Sequence, residues 1–194
     1  MSFTALLDTN VLFPIGLCDT LLSIAEAGVY DPRWSGDILR ELSENLHEKY
    51  PEVPALEWDN RVQQMERAFP YARIEGYEGL ISSMTNHEKD RHVLAAAVVG
   101  RVGVIVSNNV KDFPRSSYET YGLEIQTADE FLVHAVSLDP FAILNALQEQ
   151  SDARNRPPKS ILEILAALEK LVPQYVEAVR ALLWHDELQS GHDA

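Results

Sequence analysis

The apolar run Phe3–Leu7 ends on Asp8, and a second run, Gly103–Val106, leads through Ser107, Asn108 and Asn109 to Asp112. Each run reads as a short buried strand that delivers a carboxylate near its C-terminal end. In open parallel sheets the functional crevice lies outside the carboxyl ends of the strands, so two such acids converge there. Converging carboxylates repel one another unless a cation lies between them, and hard divalent cations take oxygen ligands. The arrangement therefore predicts a Mg2+ or Mn2+ site. Two further acids join the candidate set. Glu41 lies on a helix whose buried side is set by Leu39, Leu42 and Leu46, and Asp90 lies in the first turns of a later helix. Every one of the four also has an ordinary structural reading. Asp8 suits a helix cap, Asp90 the positive end of a helix dipole, Asp112 a turn, and Glu41 a solvated face continued by Glu44 and Glu48.

Placing these acids together requires strands and helices in alternation, and the patterning supplies them. Asn10 is positioned to cap a helix running to about Ala27, which Gly28 stops. Ser35 suits the N-cap of a helix through Leu46, another helix covers about Ala55 to Ala68, and Ala72 to Ile74 reads as a short strand. Thr85 and Glu88 have the spacing of a capping box, opening a helix that ends at Gly100. Leu123 to Ile125 reads as a strand, and Thr127 caps a helix to about Val136. The alternation predicts an α/β fold with a parallel sheet. No strand pattern returns after Leu138. Asp139 caps a helix to about Gln150, residues 151–160 read as a polar break around Pro157 and Pro158, and Pro173 separates two amphipathic segments, Ile161 to Leu171 and Tyr175 to Leu183. The expected division is an α/β domain over residues 1–136 and a helical C-terminal extension over residues 137–194.

Composition narrows the class. The 194 residues are 46% apolar, enough for a real core, and the longest apolar run, Val93–Val99, is far too short for a membrane span. The N-terminus lacks a basic run, so no secretory signal is expected, and the single cysteine, Cys18, excludes an internal disulfide; both suit a cytoplasmic protein. Net charge is −14, which weighs against nucleic acid, but its distribution is uneven. Residues 86–117 carry +2, whereas residues 1–85 and 118–194 carry −8 each. The exceptional segment holds Asp90 and Asp112 together with Lys89, Arg91, Lys111 and Arg115. Basic side chains around an acidic metal pocket suit a phosphodiester substrate; a small excess in so short a window is also ordinary fluctuation.

Taken together, LLDTNVL around Asp8, ILREL around Glu41, KDRHVLAAAV from Lys89 and VIVSNNVKDFP ending past Asp112 resemble the PIN-domain ribonucleases, and within them the VapC-type toxins of bacterial toxin–antitoxin modules. The resemblance spans about residues 3 to 135. It implies a PIN-like three-layer fold, with a central parallel sheet between helices, and Mg2+- or Mn2+-dependent endonuclease activity on RNA. By motif it assigns Asp8, Glu41, Asp90 and Asp112 to the catalytic set, with Asp8, Asp90 and Asp112 as metal ligands. Some relatives carry the last acid where this chain has Asn109; here the acid is Asp112, with Asn109 a polar neighbour. Asn10 and Ser107 take supporting places, and His87 and His92, beside Asp90, supporting roles at most. Implied partners are an RNA substrate, a cognate antitoxin whose tail covers the acidic groove, and a second copy in a homodimer. The alternative is a non-catalytic PIN-like binding module, whose mark would be loss of an acidic ligand. A haloacid-dehalogenase-like site would need an acid at Asn10, and a dinucleotide fold a glycine-rich turn after the first strand.

Overall fold

The structure, a computed structural model, describes residues 3–153 and 159–190. It is α/β. Strands β1 (Phe3–Leu7), β2 (Tyr30–Ser35), β3 (Arg73–Ile74), β4 (Val104–Val106) and β5 (Glu124–Gln126) form one parallel sheet in the order β3-β2-β1-β4-β5. Helices alternate with the strands and then follow them along the chain: α1 (Thr9–Leu12), α2 (Ile15–Glu26), α3 (Gly36–Lys49), α4 (Ala55–Ala68) and α5 (Arg91–Gly100) precede β4, and α6 (Ala128–Leu138), α7 (Pro140–Ala153), α8 (Ile161–Leu168) and α9 (Pro173–Ser190) follow β5. The chain divides into two compact units, Met1–Ile15 with Tyr30–Thr127, and Gly16–Val29 with Ala128–Ala194.

In the sheet unit, the central strands β1 and β4 are paired on both sides and largely buried, as parallel strands are, which explains their short apolar runs. Ala5, Leu6, Leu7, Ile105 and Val106 are fully buried. Helix α5 packs on β2, β3 and β4 and presents Val93, Leu94, Ala95, Ala96 and Ala97 to the interior. A Cβ on its last residue, Gly100, would come 2.5 Å from Ile74 Cδ1 and would displace that side chain. Ser35 caps α3 as expected, accepting from the Ile38 N–H at 3.2 Å.

Three local expectations are corrected. The helix expected from Asn10 to Ala27 is two helices, broken at Phe13-Pro14 because proline has no N–H to continue the ladder. Its cap is Asp8, whose side chain accepts from the Thr9 N–H, and Asn10 lies inside the first short turn. Thr85 does not cap α5. Residues Glu88–Asp90 form a 3-10 turn, and α5 begins at Arg91. Strand β2 was not anticipated, because Pro32 breaks its pattern. Proline is tolerated there because β3 pairs only with Trp34 and Ser35, so on that side Pro32 is at an edge.

Among the described residues the second unit contains helices and no strand. Asp139 caps α7, accepting from the Ala142 N–H at 2.9 Å. A capping box opens α8, formed by Ser160 and Glu163. Pro173 opens α9, where a missing N–H does no harm. Asp129 of α6 accepts from the backbone N–H groups of Gln174 (3.2 Å) and Tyr175 (2.8 Å), satisfying donors in the first turn of α9. Of the break expected over residues 151–160, residues 151–153 belong instead to α7, and residues 154–158 lie outside the described residues.

Candidate active site

The strand order reverses between β1 and β4, and the crevice of such a sheet opens at the carboxyl ends of those two strands. Asp8 is the first residue past β1, and its N–H still pairs with the Val106 carbonyl at 3.1 Å. Ser107 is the first residue past β4, its N–H held by the Gln126 carbonyl at 2.9 Å. Backbone pairing thus fixes both residues before any side-chain contact forms. The Ser107 hydroxyl donates to Asp8 Oδ2 at 2.6 Å, the Asn10 amide donates to Asp8 Oδ2 and to Ser107 Oγ, and the Thr9 N–H donates to Asp8 Oδ1 at 2.7 Å. Asp8 is only 3% exposed. Burial pushes its pKa up to about 6; the Ser107 hydrogen bond opposes this and the charge of Asp90 adds to it.

Glu41 projects from the edge of the buried side of α3. Its Oε2 accepts from the Thr9 hydroxyl at 3.1 Å, and its Oε1 lies 3.2 Å from His92 Nε2. Burial works to raise the Glu41 pKa, but His92 and Thr9 outweigh it and hold the carboxylate below its usual range. Burial likewise works against the His92 cation, and Glu41 with the charges of Asp37 and Asp8 more than compensates.

Asp90 stands at the N-cap of α5, half-buried, with its pKa raised by burial and by the charge of Asp112. Asp112 ends the 3-10 turn Val110–Asp112 that follows β4. The two acids meet through His87. The His87 N–H donates to the Asp112 carbonyl at 2.9 Å, and the Asp90 N–H donates to the His87 carbonyl at 2.9 Å. His87 Nδ1 is 3.7 Å from Asp90 Oδ2, and one ligand atom from each of His87, Asp90 and Asp112 lies within 4.8 Å of the others.

Asp8, Glu41, Asp90 and Asn109 line one cavity of about 620 Å3, shared with Phe13, Asn45 and Lys49. Asp112 is not among the residues lining that cavity and approaches the other acids through Asp90. Asn109 lies at the wall, its N–H donating to Ser107 Oγ at 3.2 Å. The four basic residues singled out from sequence sit elsewhere. Lys89 and Arg91 flank Asp90, with the Arg91 guanidinium donating to the Asn86 carbonyl at 3.4 Å; Lys111 precedes Asp112, and Arg115 pairs with Glu119 at 3.4 Å. Among the residues lining the cavity the only Lys or Arg is Lys49, eight positions after Glu41 on α3 and so near the same face. That helical spacing was its only signal in the sequence.

The donor set suits a divalent cation. Four carboxylates gather in one region, two of them with raised pKa, and none of the four makes a salt bridge to Lys or Arg among the described residues. Residues 128–181 match the VapC50 C-terminal domain family. Over 107 residues, 55% of the chain, the sequence is 40% identical to the protein named "Putative ribonuclease VapC50" of Mycobacterium tuberculosis. Over that stretch the chain resembles this VapC protein. It matches 63% of that relative's length, and no solved structure matches it significantly. The VapC50 C-terminal domain match falls on α6 through the first half of α9, in the helical unit, whereas the four acids stand in the sheet unit.

Proposed function

We propose that this VapC-like chain is a metal-dependent endoribonuclease and the toxin member of a type II toxin–antitoxin pair. The observation that carries the reading is Asp8, a buried carboxylate at the β1/β4 switch point, close to the charge of Asp90 and held by Ser107, Asn10 and Thr9 without a Lys or Arg salt bridge among the described residues. Asp8, Asp90 and Asp112 would hold Mg2+ or Mn2+, with Glu41 completing the acid set. When bound, such an ion neutralises a phosphodiester, activates water and stabilises the leaving oxygen.

The chain's own residues do the positioning. Ser107 and Asn10 orient Asp8, Thr9 and His92 orient Glu41, and Lys49 offers a cation to a substrate phosphate at the cavity wall. Lys89, Arg91, Lys111 and Arg115 lie around the Asp90–Asp112 side, where a longer RNA would pass. Catalysis is confined to residues 1–136, and the 137–194 extension contributes no catalytic residue. An acidic cavity suits a basic segment of an antitoxin, and the chain acts as a cytoplasmic homodimer. No single helix among the described residues is long and apolar enough to cross a membrane.

Purified protein free of antitoxin is expected to cut structured RNA with Mg2+ or Mn2+, leaving 5′-phosphate and 3′-hydroxyl ends, and to stop in EDTA. A folded Asp8→Asn protein is expected to lose most of this activity. Cutting that continues undiminished in EDTA would overturn the reading.

A further inference from the structure

We propose that His87 is a nitrogen ligand of the ion held by Asp90 and Asp112, which makes this position select Mn2+ over Mg2+. The inference rests on the reading of the acids as a metal centre and adds to it a donor of a different chemical kind.

The geometry is set by the backbone. His87 is tied to Asp112 by its N–H and to Asp90 by its carbonyl, each at 2.9 Å, so the three side chains leave two main-chain segments that are hydrogen-bonded to each other. Their ligand atoms lie within 4.8 Å of one another. Around an octahedral ion with bonds of about 2.1 Å, ligand atoms stand roughly 3 Å apart when adjacent and roughly 4.2 Å when opposed. Small side-chain adjustments therefore bring all three onto one ion. His87 Nδ1 stands 3.7 Å from Asp90 Oδ2, longer than a direct hydrogen bond and in the range of two ligands sharing a centre. A separate sign comes from Asn86, the preceding residue. It is 3% exposed, and neither polar atom of its side chain has a protein partner. Buried polar atoms in this state call for a water or ion shell nearby.

Imidazole nitrogen suits transition ions, whereas Mg2+ keeps to oxygen and water. An all-carboxylate position would bind both ions through the same donors. A position with His87 gives Mn2+ one bond that Mg2+ does not use.

The test is metal binding by the full chain, with Mn2+ and Mg2+ titrated separately by calorimetry and Mn2+ also followed by pulsed electron paramagnetic resonance. The wild type is expected to bind Mn2+ more tightly than Mg2+ and to show 14N coupling on bound Mn2+. His87→Ala should weaken Mn2+ binding by about tenfold or more, leave Mg2+ binding nearly unchanged and abolish the coupling, while His92→Ala keeps it. Bound Mn2+ without nitrogen coupling, or an equal loss of both ions in His87→Ala, overturns the role of His87 alone. Failure of the wild type to bind either ion, with RNA cleavage indifferent to EDTA, overturns the metal reading beneath it.

Discussion

The Ser107 hydroxyl donates to Asp8 Oδ2 over 2.6 Å, joining residues 99 positions apart at the ends of two adjacent strands. Ser107 is itself fully buried and also accepts from Asn10 and from the Asn109 N–H. One hydroxyl therefore sets the direction of the Asp8 carboxylate and the path of the loop that leads to Asp112. Outer partners of this kind typically change metal affinity by about 10–100-fold when removed. Ser107→Ala is expected to keep the fold, weaken Mn2+ binding within that range and reduce RNA cleavage, while Ser107→Thr retains much of both. Calorimetry on the two variants checks this; an alanine variant with unchanged Mn2+ affinity would place the hydroxyl in packing alone.

Asp8 also predicts a pH dependence of stability. Its ordinary value of 3.8 is raised to about 6 in the folded chain, chiefly by burial. Below the ordinary value the carboxyl is neutral in both states, and its contribution to stability is fully present. As pH rises through about 4 to about 6 the unfolded chain ionises first, and that contribution is lost. A shift of this size corresponds to about 3 kcal/mol, or several degrees in melting temperature for a chain of this length. Metal-free wild type should lose melting temperature over this window relative to Asp8→Asn, and saturating Mn2+ should cancel the difference. Parallel melting curves for the two proteins across the window would contradict the assignment.

The two candidates for the last ligand separate by position. Asp112 belongs to the His87–Asp90 group, whereas Asn109 lines the cavity wall. Asp112→Asn is expected to cut Mn2+ affinity and cleavage by at least tenfold. Asn109→Ala should leave Mn2+ binding within a few-fold of wild type. The reverse order, measured on folded variants, would move the ligand to Asn109.

Strand ends were legible because β1 and β4 are short apolar runs with abrupt polar ends, a local pattern that parallel pairing demands. The acids at those ends were legible for the same reason. β2 was not, because Pro32 hides a strand that only its one-sided pairing permits. The Thr85–Glu88 spacing matched a capping box, yet the chain there is pulled into a 3-10 turn by the bond from the His87 N–H to the Asp112 carbonyl, a contact across 25 residues that no local pattern reveals. That same contact brings His87 to the acids. The capping box that does form, Ser160 with Glu163, has equal spacing.

Asp129 supplies the last prediction. Its two carboxylate oxygens accept separately from the Tyr175 and Gln174 N–H groups, at 2.8 and 3.2 Å, in the first turn of α9. Pro173 has no N–H to offer, so these two donors depend on a side chain from α6. Loss of a helix cap typically costs about 1 kcal/mol, up to about 2, and the neighbouring Tyr175 side chain is fully buried, so the exposed end cannot simply hydrate. Asp129→Ala should lower the melting temperature by a few degrees. Asp129→Asn keeps one acceptor and should fall between the two. Because Asp129 belongs to the helical unit and the four acids to the sheet unit, Mn2+ affinity at a temperature where both proteins are folded should be unchanged. A variant that melts as the wild type does but binds Mn2+ tenfold more weakly would connect this cap to the metal centre instead of to the stability of α9.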